Sequence, residues 1–166
     1  RELGAGLTPT EMVSVRGLVH DSKKTELLMR LAPEETPSCV QLFGNDPDDF
    51  ARAAALVDSD IIDINMGCPM PKIVKNGDGA ALMKTPETAG KIVRALVNAT
   101  DKPITVKTRL GYYDGAATVA ELIQSVAQAG ASAVAVHGRY AEQRYAGRAE
   151  FDGLAEIAAS SRVPVI

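Results

Sequence analysis

The sequence predicts an α/β protein of parallel strands with helices outside them, best drawn as a partial (β/α)8 barrel. Three observations predict it. Apolar runs of strand length alternate with amphipathic helical stretches, and no hairpin signal joins two of the runs. Strand starts near residues 40, 61, 104, 133 and 163 lie 21 to 43 residues apart, each interval with room for one right-handed βαβ crossover. No Gly-x-Gly-x-x-Gly follows a strand to open a helix, which weakens the competing open dinucleotide-binding sheet. With an early strand around Leu7 the count is six, so an eight-stranded barrel would lack about two.

The elements follow in order. Arg1-Glu2-Leu3-Gly4 reads as the last turn of a helix closed by glycine. Ala5 to Leu18 reads as an irregular strand through Leu7 to Val13 running into a loop. Lys24 to Leu31, with Leu27, Leu28 and Leu31 at helical spacing, predicts a short helix stopped by Pro33. Cys39 to Phe43 is a strand, and Asp46-Pro47 supplies an N-cap and a first-position proline for a helix whose apolar face is Phe50, Ala53, Ala54 and Val57. Strand Ile61 to Asn65 leads into a loop of about 15 to 20 residues, long enough to suggest function. Thr85-Pro86 opens a helix striped by Ala89, Ile92, Val93, Leu96 and Val97. Strand Ile104 to Thr108 precedes a helix with Thr118 and Glu121 as a capping box and Gly130 at its end. Strand Ala133 to His137, a helix from about Asp152 to Ala159 and a strand from Val163 to Ile166 complete the chain.

The 166 residues, 46% of them hydrophobic, can bury a real core. There is no initiator methionine and the last residues lie inside an apparent strand, so the chain reads as a piece of a longer α/β protein. A net charge of −3 argues against an overall electrostatic nucleic-acid binder. Two cysteines 29 positions apart make neither a metal-ligand spacing nor a disulfide framework. No metal is expected, and a reducing cytoplasm is the default. No apolar run approaches the roughly 20 residues of a membrane span, so no membrane partner is expected.

The chemistry is placed in Asn65-Met66-Gly67-Cys68-Pro69, where a thiol leaves a buried strand between a residue free in φ and one fixed in φ. From these five residues alone, a buried cysteine before an ordinary turn serves equally well. The wider pattern favours a site. Gln41, Asn65, Lys107 and His137 each stand at or near the carboxyl end of an apolar strand, the face that holds active sites in parallel barrels. Each alone could be structural. Lys107 follows Val106 inside a buried run, so an anionic partner is expected beside it. The loops on that rim, with Lys72, Lys75, Lys107, Arg109, Arg139, Arg144 and Arg148, carry an excess of +4 over their acids. That suits a phosphate-bearing ligand or an RNA backbone, against a competing reading of solvated loop charges.

Five motifs then carry a family resemblance: Val40-Gln41-Leu42-Phe43-Gly44, Asn65-Met66-Gly67-Cys68-Pro69, Gly79-Ala80-Ala81-Leu82-Met83, Val106-Lys107-Thr108-Arg109-Leu110-Gly111 and Val136-His137-Gly138-Arg139. In this order and spacing the chain resembles the tRNA-dihydrouridine synthases of bacterial type. Gly4-Ala5-Gly6-Leu7 and Thr10-Glu11-Met12 fit the family's second strand. The resemblance implies an FMN-dependent TIM barrel with NADPH as reductant and tRNA as substrate. Residues 1–166 would be an incomplete catalytic domain running from about the second strand to the seventh. The first strand, the eighth strand, the glycine-rich loops that follow the seventh and eighth strands, and a C-terminal helical tRNA-binding domain would lie outside it.

Carried over by motif, Cys68 is the general acid that protonates C5 of uracil while reduced flavin delivers hydride to C6. Asn65 positions the base, Gln41 bonds the flavin ring, and Lys107, His137 and Arg139 lie against the flavin. Lys72 and Lys75 sit on the long loop expected to cover a base splayed out of its stack. Two alternatives stay open. One is a dihydroorotate-dehydrogenase-like FMN oxidoreductase, disfavoured because Gly67-Cys68-Pro69-Met70-Pro71 lacks the asparagine expected after the first proline. The other is an inactive barrel fragment, expected to lose FMN and to self-associate through open strand edges.

Overall fold

The computed structural model describes residues 4–20 and 22–166. The proposed helix end at Arg1-Glu2-Leu3 lies outside them. Five parallel strands form one sheet in the order of the chain, β1 (Val13–Ser14), β2 (Cys39–Phe43), β3 (Ile61–Asn65), β4 (Ile104–Arg109) and β5 (Ala133–His137). Sequential order with parallel pairing is what successive right-handed crossovers generate. Val163 to Ile166 continues the sheet as a parallel bridge of Val165 with Val134, with Ile166 N–H donating to the Val134 carbonyl at 3.0 Å. The architecture is therefore α/β and that of a partial (β/α)8 barrel.

Register explains the core. Val40, Leu42, Ile62, Ile64, Ile104, Val106 and Val134 alternate onto one face of the sheet and are buried beneath the helices. Helix α3 (Pro47–Ala54) presents Phe50, Ala53 and Ala54, capped by the Asp46 carboxylate on Asp48 N–H at 2.9 Å. Helix α5 (Pro86–Ala99) presents Ala89, Ile92, Val93 and Leu96, and α6 (Val119–Ala129) presents Val119, Leu122, Ile123 and Val126. These three faces are the expected ones, since a helix beside a parallel sheet buries the stripe that repeats every 3.6 residues. Helix α7 (Asp152–Ser160) packs Leu154 and Ile157 against the same core.

Five local expectations change. The first strand is only Val13–Ser14, with an isolated bridge from Pro9 to Cys39, because proline has no N–H to continue a ladder. Where a loop was expected, α1 (Val15–Val19) forms, opened by Gly17 N–H donating to Ser14 Oγ at 3.2 Å. The next helix, α2, is Lys23–Leu27, and its Leu27 and Leu28 are exposed while Met29 and Leu31 reach the core. The long segment after β3 is not open loop. It holds α4 (Pro71–Val74) and a 3-10 turn at Gly79–Lys84 that buries Leu82 and Met83. Thr118 and Glu121 form no side-chain cap on α6, although Gly130 ends that helix in the left-handed region as expected.

Candidate active site

The opposite face of the sheet is polar. Cross-strand register places Gln41 beside Asp63, Asp63 beside Thr105, Asn65 beside Lys107, and Arg109 beside His137. A parallel strand buried on both sides ordinarily reads as continuously apolar. Gln41, Asp63 and Asn65 are buried nonetheless, and each is satisfied by its neighbours. Thr105 Oγ1 and Gln41 Nε2 both donate to Asp63 at 2.6 Å, and Asn65 Nδ2 donates to Gln41 Oε1 at 2.9 Å. Asn65 Oδ1 then accepts from the backbone N–H of Gly67 at 3.2 Å and of Cys68 at 2.9 Å. The floor of the sheet is thus tied to the loop carrying the thiol.

That loop is also held from β4. Arg109, 3% exposed, donates from Nε to the Gly67 carbonyl at 2.9 Å and from an Nη to the carbonyls of Tyr140 at 3.3 Å and Arg144 at 2.8 Å. One guanidinium joins the loops after β3 and β5. Close backbone contacts tighten the fit: a Cβ on Gly67 would meet the Thr108 backbone at 3.2 Å, and one on Gly79 would meet the Cys68 carbonyl at 2.8 Å. Cys68 itself is half-buried, while Cys39 lies fully inside.

Electrostatics follow from burial. Desolvation raises the Asp63 carboxyl above its ordinary range, opposed by hydrogen bonds from Thr105 and Gln41 and by the Lys107 charge. Desolvation, with Arg109 adding repulsion, lowers the Lys107 ammonium. Among the described residues its one hydrogen bond is a long 3.3 Å contact to the Thr108 carbonyl. Burial and the cations Arg109, Lys107 and Arg139 likewise lower His137, favouring neutral imidazole.

Gln41, Asn65, Cys68, Lys107 and His137 share one face or its rim, as the sequence suggested. Arg139 stands beside them but bends back onto its own loop, donating to the carbonyls of Tyr145 and of Gly147, the latter at 2.9 Å. Its buried Nε has no partner among the described residues. Lys72 and Lys75 are exposed and lie in different clefts. Lys72 lines one of about 680 Å³ with Arg16, Asn45, Asn76 and Asp78. Lys75 lines one of about 520 Å³ with Pro69, Tyr112 and Arg144. Sequence reasoning missed Asp63 and Thr105 and read Arg109 only as rim charge. The period-two alternation through Ile61-Ile62-Asp63-Ile64-Asn65 was the available signal. No helix among the described residues is long and apolar enough to cross a membrane, and no group of three His, Cys, Asp or Glu among them could hold a metal ion.

Fold and site together define a parallel α/β barrel protein whose buried polar face leads to a cysteine loop at the strand carboxyl ends. The family model for dihydrouridine synthase (Dus) matches residues 1–166, and the chain belongs to that family. It is 41% identical over 160 residues to the "Probable tRNA-dihydrouridine synthase 1" of Synechocystis sp., covering 95% of this chain and 45% of that protein. It is 42% identical over 170 residues to the "Probable tRNA-dihydrouridine synthase" of Treponema pallidum, covering 97% and 50%. To the "tRNA-dihydrouridine synthase B" of Escherichia coli it is 38% identical over 168 residues, covering 99% and 52%. The chain spans about half the length of the curated relatives it matches.

Proposed function

We propose that this chain is part of the catalytic barrel of an enzyme that reduces uridine in tRNA to 5,6-dihydrouridine, with Cys68 as the proton donor. The observation that carries the reading is the anchored cysteine loop. Asn65 holds the Cys68 N–H at 2.9 Å while Arg109 holds the preceding carbonyl at 2.9 Å, so the backbone that carries the half-buried thiol is anchored at the end of the polar face. General acid catalysis needs this placement before it needs a tuned pKa.

The residues present fit a flavin. Lys107 is a desolvated cation short of acceptors, and Arg139 Nε is a buried donor without a partner among the described residues. A reduced flavin ring is an anionic acceptor edge of the kind such donors require. Gln41, Lys107 and His137 would hold the ring, with Arg139 nearby; flavin mononucleotide, reduced by NADPH, would supply the hydride for uracil C6. Asn65 orients the base, and the loop through Lys72 and Lys75 covers it. The Cys68 S–H bond breaks as C5 takes the proton, leaving a thiolate that water or buffer reprotonates. Neutral His137 and cationic Lys107 stabilise negative charge that develops during reduction.

In the full-length protein, Cys68→Ala is expected to keep its flavin and its reduction by NADPH, while mass spectrometry of tRNA nucleosides finds no dihydrouridine. Ordinary product levels would refute the proton-donor role.

A further inference from the structure

Asp63 has no evident part in binding or proton transfer, since it is buried below the rim and both its oxygens are occupied. An acid in that position needs a reason, because burial works against its charge. We infer that Asp63 is the positioning residue of the cysteine loop, its carboxylate setting the amide orientation of Gln41, then of Asn65, and so the acceptor that holds the Cys68 N–H. The inference rests on the reading of Cys68 as proton donor.

The argument is one of donors and acceptors. An ionised carboxylate only accepts, so the Gln41 side chain must turn Nε2 toward Asp63. Its Oε1 is then left to face Asn65, which must answer with Nδ2. Asn65 Oδ1 is thereby turned toward two backbone N–H groups that can only donate, those of Gly67 and Cys68. With an obligate acceptor at one end and obligate donors at the other, one set of amide orientations satisfies every group. Thr105 secures the far oxygen of Asp63; desolvation raises the carboxyl, and the hydrogen bonds from Thr105 and Gln41, then the Lys107 charge, oppose it in favour of the ionised form. Replacing the carboxylate by an amide removes the obligate acceptor at one end and leaves only the backbone N–H groups of Gly67 and Cys68 to select between the two sets of orientations. Asn at position 63 could donate to Gln41 as well as accept from it, and in the reversed arrangement Asn65 would turn its NH2 toward the Cys68 N–H.

The test uses full-length, flavin-loaded Asp63→Asn and the double variant Asp63→Asn with Gln41→Glu, which moves the carboxylate one residue along and restores an obligate acceptor for Asn65. Backbone hydrogen exchange at Gly67 and Cys68 is read by mass spectrometry beside the rate at which tRNA reoxidises NADPH-reduced flavin. In Asp63→Asn, exchange at Gly67 and Cys68 is expected to rise about tenfold or more, while Ile62, Ile64 and Val106 stay protected. Reoxidation should slow by about 10-fold to 100-fold, the scale of a small misplacement of a catalytic group, and the double variant should recover protection at Gly67 and Cys68. Ordinary exchange in Asp63→Asn would overturn the inference, and so would exchange raised evenly across β2 to β4, which marks a packing role. Should Asp63→Asn not fold, the double variant decides: folded with protected Gly67 and Cys68 supports the inference, unfolded overturns it. A Cys68→Ala control that still reduces tRNA removes the proton-donor reading, whereas the exchange result still decides what Asp63 does.

Discussion

Cys39 and Cys68 show how far position alone separates two identical side chains. Cys39 is buried next to Asp63, and desolvation, then that charge, push its thiol up to about 12. At pH 8 its thiolate fraction is on the order of 10⁻⁴, so iodoacetamide should modify Cys68 in the native protein and reach Cys39 only on unfolding, as peptide mapping would show. Lys107 offers a test of sign. Folding lowers its pKa from 10.5, so the unfolded chain holds that proton more firmly. Its cost to stability is present below the folded pKa and fades as pH rises toward 10.5. Chemical denaturation at pH values from neutral to 10.5 should therefore show Lys107→Arg, whose guanidinium stays charged, keeping that cost where the unsubstituted protein loses it. Gln41, Asn65, Lys107 and His137 were legible because a polar residue near the end of an apolar strand is conspicuous. Asp63 was not, because its meaning lies in partners 22 and 42 positions away.

At the scale of elements, the segment after β3 behaves as a braced unit. Gly79 has φ +58°, and an added Cβ would press the Cys68 carbonyl at 2.8 Å and Ile73 Cγ2 at 2.9 Å. Gly79→Ala is expected to destabilise the fold by about 1–3 kcal/mol in chemical denaturation, with product formation falling further than stability explains. Arg109→Met keeps an apolar stem but leaves the carbonyls of Gly67, Tyr140 and Arg144 without their donor. Each buried loss costs about 1–3 kcal/mol, so limited proteolysis should open the loops after β3 and β5 before the sheet melts. Helices α3, α5, α6 and α7 were readable because amphipathic stripes are local, whereas α1 and α4, too short to carry a stripe, were not. The 3-10 turn at Gly79–Lys84 was not, because burial of Leu82 and Met83 decides it.

For the whole molecule, strand order follows chain order, and β1 stands at one edge of the sheet with only two paired residues. Unpaired N–H and C=O groups there can accept another strand, so the isolated chain is expected to associate, with sedimentation velocity showing species above monomer. Fold class, the faces of α3, α5 and α6, four of the five named strands and the residues around Cys68 were already present in the order of amino acids. Period, capping and strand-end polarity are properties of neighbours along the chain. Register across β2, β3 and β4, the direction in which each amide points, and the joining of the loops after β3 and β5 by Arg109 came only with tertiary structure. A hydrogen bond between residues distant in sequence has no local signature, and whether a buried amide donates or accepts is settled by what lies across from it.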